Sequence, residues 1–167
     1  GLADLWACLI EQTISPRGNW TVGEEIYRVA DPSGTGAMPV PQPLRDLAEP
    51  DRTEQARHVA QLPSSPSPFF DLHSPSGREP QLLTENGPRR YAAGIVAHAG
   101  YELAQRLGVE STAAILYRAQ KYYLHRHSGF VDTALAMTAA AVDLYGSESG
   151  AVNAVRQSWS LVGVSSP

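Results

Sequence analysis

The stretch 115–164 constrains the fold most, because it contains two long apolar runs separated by one short break. In the first run, apolar or small side chains recur at steps of three and four residues, at Ala134, Leu135, Thr138, Ala141, Val142 and Tyr145. In the second run, the same spacing is kept by Val152, Val155, Trp159 and Val162. Each spacing places its members on one face of an α-helix. The stretch therefore predicts a compact group of helices that share one core.

Glycine and serine residues mark the expected ends of these two helices. Gly146 and Gly163 follow the two runs, at positions where a left-handed C-cap is favoured, and glycine takes positive φ without a steric cost. Ser147 and Ser149 are both candidate N-caps for the last helix. The break between the runs is therefore interpreted as a helix end followed at once by a helix start.

The rest of the chain adds helices and loops, with no strand pattern strong enough to build a sheet. An apolar stripe predicts a first helix that starts almost at the first residue, which indicates a piece of a longer chain; its members are Leu2, Leu5, Trp6, Leu9 and Ile10. Further helices are expected over about 89–107 and 110–124, with one short helix within 51–61. We therefore expect a mainly α fold, a single compact multi-helix domain over 1–167 with long irregular loops.

Residues 62–80 form a stretch rich in serine and proline without apolar periodicity. Loops of this length are uncommon inside a compact domain and are typically mobile or functional. We expect this loop to be the segment that proteases cut first.

Composition narrows the function classes. A chain of 167 residues with a net charge of −4 and 18% charged residues lacks the clustered basic face that nucleic-acid binding needs. No apolar run approaches the roughly 20 residues that span a bilayer. Asp4 and Glu11 interrupt the apolar positions that a signal peptide would require. The single Cys8 excludes an internal disulfide. We expect neither a nucleic-acid nor a membrane partner.

Histidines are the first candidates for chemistry. His125 and His127 form a His-x-His pair that can bind a metal ion, although such a pair at a helix junction is more often a solvated turn. His98 lies on a predicted helix and is expected to pack or to form a local hydrogen bond. His58 and His73 lie in the weakly structured middle of the chain without a visible partner.

Carboxylates and one arginine form the second group of candidates. Calcium prefers oxygen ligands of the kind clustered at Glu11, Asn19, Glu24 and Glu25, although four such residues around a turn are commonly just solvated. Asp4 lies opposite the apolar stripe and is by itself an ordinary first-turn acid. Arg45 is able to clamp a carbonyl or carboxylate group, but taken alone it is an ordinary surface arginine.

Several short motifs, in this order, resemble the C-terminal helical domain of the thermolysin-like family of neutral zinc metallopeptidases. Residues 20–27 read Trp-Thr-Val-Gly-Glu-Glu-Ile-Tyr and resemble the family's Trp-x-Ile-Gly-Glu-Asp-Ile-Tyr. Residues 117–124 read Tyr-Arg-Ala-Gln-Lys-Tyr-Tyr-Leu and resemble its Tyr-Arg-Ala-x-x-Tyr-Tyr-Leu. Residues 143–147, 152–155 and 162–164 are similar to its Asp-Leu-Tyr-Gly-Ser, Val-Asn-x-Val and terminal Val-Gly-Val. The similarity runs from Asp4 to Val164, with 62–80 as extra sequence.

The resemblance implies a zinc peptidase whose zinc is held elsewhere. The family's His-Glu-x-x-His helix, with two zinc ligands and the base, has no counterpart here. Asp4 matches the aspartate that orients one of those histidines, and the third ligand would fall one residue before Gly1. The resemblance therefore implies that zinc is bound only with an upstream domain and that this chain alone is inactive.

The resemblance also assigns substrate-binding and catalytic positions. Arg45 matches the arginine that binds a substrate carbonyl, and Leu44 matches a residue lining the adjacent pocket. Arg90 stands where the family has the histidine that stabilises the tetrahedral intermediate, and Glu85 stands for the acid that orients this histidine. Ala92 replaces an asparagine that contacts the substrate backbone. Arginine can donate hydrogen bonds but cannot share a proton near neutral pH. By the resemblance, about half of the family's catalytic and substrate-binding residues are therefore retained and half are replaced.

Calcium, partners and location follow from the same resemblance. Glu11, Asn19, Glu24 and Glu25 fall on the family's paired calcium site, with Asn19 replacing an aspartate, which should weaken the binding of a hard cation. The missing partner is the zinc-bearing domain or a second copy, and we expect it to cover an exposed apolar patch at Leu2, Leu5, Trp6 and Leu9 or their neighbours. A secreted location is implied.

Three functions fit the sequence. The chain is one half of a thermolysin-like endopeptidase, a catalytically degenerate relative that binds peptides or regulates a protease, or a purely structural helical domain. Arg90 favours the second over the first, whereas Arg45, Leu44 and Asp4 favour either of them over the third.

Overall fold

The described part of this computed structural model is built almost entirely from helices. It comprises residues 1–15, 18–24, 28–29, 40–41, 43–62 and 87–165. The helices are α1 (Leu2–Ile14), α2 (Gly87–Leu107), α3 (Val109–Tyr122), α4 (Phe130–Tyr145) and α5 (Gly150–Leu161). The expectation of a mainly α fold is confirmed, and the helices over 89–107 and 110–124 were predicted to within two residues at each end. No helix in these ranges is both long and apolar enough to cross a membrane.

Four very short strands connect α1 to α2, and none of them was predicted. They are β1 (Thr21–Val22), β2 (Arg28–Val29), β3 (Val40–Pro41) and β4 (Arg45–Asp46). β1 pairs antiparallel with β4, so that Thr21 lies opposite Asp46 and Val22 opposite Arg45. β2 pairs with β3 in the same sense. Strands of two residues are too short to leave an alternating pattern in the sequence.

The core is formed where α1, α2, α3, α4 and α5 meet. The predicted inward face of α5 is confirmed, because its four apolar residues Val152, Val155, Trp159 and Val162 are all at most 2% exposed. α2 contributes Ile95, Ala99 and Leu103 to the same cluster. Trp159 is among the largest fully buried side chains, and burying an aromatic of this size is a major contribution to a core.

The inward face predicted for α4 is only half right. Ala134 and Ala141 are buried, but Leu135, Val142 and Tyr145 are between 37% and 43% exposed. The core side of this helix is instead completed by Thr133, Met137 and Ala140. The sequence misleads here because α4 carries apolar residues over much of its circumference, so its periodicity alone cannot choose which flank is buried.

Residues 51–61 do not form the single short helix that was expected. Two 3₁₀ turns occupy the segment, Pro50–Thr53 and Val59–Gln61. Between them Glu54 adopts a left-handed conformation with φ of 57°, which no regular helix allows. This bend turns the following residues, Gln55 and Ala56, toward α2.

The predicted glycine caps are present. Gly146 has a φ of 88° and Gly163 a φ of 80°, both in the range that favours glycine. At Gly146 a ψ of 155° carries the chain away from the helix rather than into a left-handed turn. Ser149, not Ser147, occupies the N-cap of α5, and its hydroxyl forms no capping hydrogen bond within the described part of the chain.

The apolar stripe of α1 is mostly buried, which corrects the expected patch. Leu5 and Leu9 are at most 1% exposed, and Leu2 and Trp6 pack against the core. The Trp6 indole donates a hydrogen bond of 2.6 Å to the Gln120 side chain on α3. These residues turn inward because α2 and α3 both pack on this helix. Of the large apolar members of the stripe, Ile10 alone is exposed, at 55%, and Ile14 one turn beyond it is 77% exposed. The extra segment 62–80 lies, apart from Leu62, outside the described residues.

A polar cluster joins α3 to α4. The Tyr123 hydroxyl and the Arg118 guanidinium both donate hydrogen bonds to Oδ2 of Asp143. These two hydrogen bonds hold the pKa of the Asp143 carboxyl below its ordinary value, with Tyr123 the stronger influence. A lowered pKa means that the cluster stabilises the fold above the ordinary pKa of an aspartate and that this contribution is lost as the pH falls below it.

Tyr123→Phe is expected to raise the pKa of Asp143 toward its ordinary value, because it removes the stronger of the two donors. The pKa is read from the carboxyl carbon chemical shift of Asp143 in an acid titration. Tyr122→Phe is the matched control, since the Tyr122 ring contacts Arg118 while its hydroxyl does not bond to Asp143. An unchanged Asp143 titration in the Tyr123 variant would contradict this assignment.

Candidate functional site

Backbone hydrogen bonds to Val22 of β1 and to Trp20 just before it hold the chain on either side of Arg45. The Leu44 amide donates to the carbonyl of Val22 at 2.8 Å, and the Leu47 amide donates to the carbonyl of Trp20 at 2.8 Å. Leu44 is 38% exposed, and the Arg45 guanidinium reaches back to the Leu44 carbonyl at 2.7 Å. The two expected substrate-binding residues are therefore held in place, Arg45 on β4 and Leu44 directly before it, both partly open to solvent.

Asp46 fixes the turn that follows Arg45. Its carboxylate is buried and accepts hydrogen bonds from the amides of Ala48 and Glu49, at 3.1 and 2.9 Å. The other carboxylate oxygen lies 3.5 Å from the guanidinium of Arg52. This is an Asx-type turn, in which a short acidic side chain replaces backbone partners. Sequence reasoning missed Asp46, although an aspartate two residues before a possible turn is a signal for such a motif.

The segment after this turn is bonded to the first turns of α2, where Arg90 lies. The Gln55 side chain is buried and donates to the Arg90 carbonyl at 2.8 Å. The amide of Ala56 donates to the Tyr91 carbonyl at 2.9 Å. Gly94 allows the close approach, because a Cβ there would lie 2.5 Å from the Ala56 carbonyl oxygen. β4 and the start of α2 therefore form one connected wall, which we call the β4–α2 wall.

Arg90 is exposed at the start of α2, on the β4–α2 wall. Ala92 lies one position past Tyr91 and is partly buried. Glu85, the expected orienting acid, lies outside the described residues, so its pairing with Arg90 stays a prediction. The wall therefore presents an arginine side chain at the position where the resemblance expects a histidine.

Asp4 approaches the same end of α2 from α1. The chain at Gly1 lies directly on α2, since a Cβ at Gly1 would be 2.6 Å from the Ala93 carbonyl oxygen. Asp4 lies in the first turn of α1, with a carboxylate oxygen 3.1 Å from the Gly1 nitrogen and 27% of its side chain exposed. The fold thus brings the beginning of α1 next to the α2 turn that follows Arg90.

His98 was expected to pack or to form a local hydrogen bond. It does pack, but its hydrogen-bond partner is distant in sequence. The ring is buried, and its Nδ1 lies 2.9 Å from the carbonyl of Leu47, the residue after Asp46. It stacks on Tyr101, which in turn meets Trp20 edge to face. This cluster fastens both β1 and the end of β4 to α2, a role that no local sequence signal could reveal.

The described calcium candidates bond to one another rather than to a common centre. The Asn19 amide donates to Glu24 at 2.9 Å, and its carbonyl oxygen accepts from the amide and hydroxyl of Thr21. Burial raises the pKa of Glu24, but hydrogen bonds from Asn19, from its own backbone and from Thr21 lower it below its ordinary value overall. Glu11 is partly exposed on α1, and Glu25 lies outside the described residues.

The described residues by themselves form neither a calcium nor a zinc site, and Glu25, one of the four calcium candidates, lies outside them. A calcium ligand must direct an oxygen at the ion, whereas Asn19 directs its N–H groups at Glu24 and its oxygen at Thr21. Among the described residues, no three His, Cys, Asp or Glu side chains come together in a way that could hold a metal ion. His125 and His127 lie in an exposed turn, where the Arg126 guanidinium donates to His127 Nε2 at 2.8 Å.

The helical fold of the described residues agrees with what is found among known proteins. The family model described as the thermolysin metallopeptidase, alpha-helical domain, matches residues 1–164. The chain belongs to this family. The resemblance stated from its motifs is thereby confirmed.

Curated relatives extend well beyond this chain. A zinc metalloproteinase of Listeria monocytogenes is 31% identical over 149 residues, which are 87% of this chain and 24% of the relative. A bacillolysin of Bacillus cereus is 28% identical over 165 residues, 98% of this chain and 26% of the relative. A thermolysin of Alicyclobacillus acidocaldarius is 29% identical over 166 residues, covering 98% and 27%. The chain spans about a quarter of the length of these relatives.

Proposed function

We propose that this chain is the C-terminal helical half of a secreted, thermolysin-like zinc metalloendopeptidase and supplies one wall of its peptide-binding cleft. The observation that carries the proposal is the β4–α2 wall: Arg45 lies on β4 with Leu44 directly before it, and Gln55 in the segment that follows donates to the Arg90 carbonyl on α2. Zinc would be held by residues outside those described here, so the chain alone does not cleave peptides. The natural partner is the zinc-bearing domain.

Each wall residue has a distinct role in this proposal. Arg45 donates hydrogen bonds to a carbonyl oxygen of the substrate, for which its planar guanidinium has several N–H groups in a fixed geometry. Leu44, partly exposed beside it, lines the neighbouring side-chain pocket. Asp4 orients a zinc-binding histidine of the partner domain. Glu85 orients Arg90, which donates to the oxyanion.

The exposed residues of α1 support a partner domain. Ile10 and Ile14 are the most exposed large apolar side chains of this helix, and they follow one another at helical spacing on its outer side. Ile10 and Ile14, rather than Leu5 and Leu9, are the apolar residues that the partner would cover.

The second candidate is a catalytically degenerate module that binds peptides. The observation that favours it is the exposed Arg90 at the position of the catalytic histidine. A guanidinium stays charged at every physiological pH, so it can bind an oxyanion or a peptide carboxylate but cannot exchange a proton with either. In this case the wall would bind peptides without cleaving them.

A domain exchange separates the two functions. We replace the matching region of the Listeria monocytogenes zinc metalloproteinase with this chain and assay casein and a quenched fluorescent peptide. We expect chelator-sensitive cleavage by the hybrid and none by the chain alone. Arg45→Ala in the hybrid should lower kcat/KM by about a hundredfold, the scale of losing a substrate-positioning contact.

Arg156→Ala is the matched control, because Arg156 is exposed on α5, away from the β4–α2 wall. A hybrid that folds, binds zinc and remains silent would reject the first function. Peptide binding by such a hybrid, lost in Arg45→Ala and retained in Arg156→Ala, would establish the second.

A further inference from the structure

α4 has a second apolar face that the fold leaves exposed. Its members are Val131, Leu135, Thr138, Val142 and Tyr145, and they follow one another at steps of four, three, four and three residues. Val131 is 48% exposed, Leu135 42%, Val142 37% and Tyr145 43%, and Thr138 is partly buried. We call this face the α4 stripe. Steps that alternate between three and four residues are the spacing of a helix that packs along a second helix.

The α4 stripe is distinct from the core face of the same helix. The core face buries Thr133, Ala134, Met137, Ala140 and Ala141 against the other helices. A helix that is apolar on both sides is normally covered on both sides. The exposed large side chains of the stripe therefore form a surface suited to a partner helix.

The stripe is close to symmetric about its centre. Val131 and Tyr145 each lie seven residues from Thr138, while Leu135 and Val142 lie three and four residues from it. An antiparallel copy of the same helix, related by a two-fold axis at Thr138, would bring Val131 opposite Tyr145 and Leu135 to within one position of Val142. A two-fold interface requires this self-complementary arrangement, in which one patch meets its own copy.

Charges at the two ends of the stripe also match in the antiparallel orientation. Asp132 is exposed at the start of α4. At the other end, Arg118 and Asp143 form an ion pair with their nearest atoms 2.9 Å apart. Arg118 also contacts the Tyr122 ring, and the Lys121 ammonium lies 5.3 Å from the centre of the same ring. Because the Arg118–Asp143 pair cancels its own charge, the cation that an antiparallel second copy would place toward Asp132 is Lys121.

We propose that the α4 stripe is a homodimer interface, on which a second copy of this chain packs its own α4 in antiparallel orientation. The interface lies on a different helix from the α1 residues assigned to the zinc-bearing domain. It therefore does not depend on the proposed peptidase function, and either proposal can fail while the other stands.

Sedimentation of the purified chain over roughly 1 to 500 μM tests the interface, since a contact of one helix pair is small and of micromolar strength. We expect reversible monomer and dimer in this range. Leu135→Glu should raise the dissociation constant about tenfold or more, because it places a carboxylate in each half of the apolar contact. Leu161→Glu is the matched control, since Leu161 is 52% exposed on α5 and should leave the dissociation constant unchanged. Circular dichroism verifies that both variants keep the helical fold.

Oxidative cross-linking tests the antiparallel orientation. Thr138→Cys lies on the proposed two-fold axis and should form a disulfide-linked dimer, whereas Ser160→Cys, exposed on α5, should not. The native Cys8 is fully buried and does not interfere. A monomer at every concentration overturns the proposal and leaves the stripe to another partner. A dimer that survives Leu135→Glu, or that cross-links equally through position 160, also overturns it.

Discussion

Replacing Gly94 with alanine is expected to lower the free energy of unfolding by about 2 kcal/mol, the usual cost of overpacking a close contact. In an ordinary helix interior this substitution would instead stabilise by about 1 kcal/mol. The sign reverses here because the new methyl group would lie 2.5 Å from the Ala56 carbonyl oxygen, 2.7 Å from the Cβ of Gln55 and 3.2 Å from that of Pro50. One of these atoms belongs to the backbone, so relief requires the whole 50–56 segment to move off α2.

Urea denaturation followed by circular dichroism measures this effect, and Gly150→Ala provides the control. Gly150 begins α5, and no atom beyond its own neighbourhood lies within 4 Å of a Cβ built there. The control should be neutral or slightly stabilising. A Gly94 variant as stable as the control would show that the β4–α2 wall is not tightly packed. The substitution should also weaken any function of Arg45, because the moving segment follows closely on the strand on which Arg45 lies.

Helices were predictable from this sequence because their signals are local. α5 shows the favourable case, since Val152, Val155, Trp159 and Val162 repeat at helical spacing and glycine stands at both ends. α4 shows the limit of the same signal. Its periodicity predicts the helix correctly, yet two apolar faces compete, and only the positions of neighbouring helices decide that Met137 is buried while Leu135 is not.

The candidate site was predictable only through family motifs, because the contacts that build it are long-range. Arg45 and Arg90 were named from the resemblance, but the bond that connects their elements runs from Gln55 to a residue 35 positions away. His98 holds the Leu47 carbonyl from 51 positions away. A polar side chain with a distant backbone partner leaves no trace in spacing or composition. The calcium candidates stay a prediction, because Asn19 bonds to Glu24 and Thr21 here while Glu25 lies outside the described residues.

Arg90→His is expected to raise kcat about a hundredfold in the Listeria hybrid and to leave the chain alone silent. The gain is on the scale that one positioned proton-sharing group contributes. A histidine ordinarily titrates near pH 6.5, so it can donate to the oxyanion and also exchange a proton, whereas Arg90 can only donate. The chain alone stays silent because one restored donor provides neither a bound zinc ion nor a base.

Steady-state kinetics of four proteins test this expectation: the hybrid and the chain alone, each with arginine or histidine at position 90. Arg89→His in the hybrid is the matched control, because Arg89 is exposed on the neighbouring position of the same turn and adds a histidine that faces elsewhere. A gain in kcat at position 90 and not at 89 would locate the lost proton-sharing group on the β4–α2 wall. Equal rates for arginine and histidine at position 90 would mean that the oxyanion is stabilised by other groups, and Arg90 would then be free to serve peptide binding alone. Cleavage by the chain alone with either residue would contradict the division of labour between two domains.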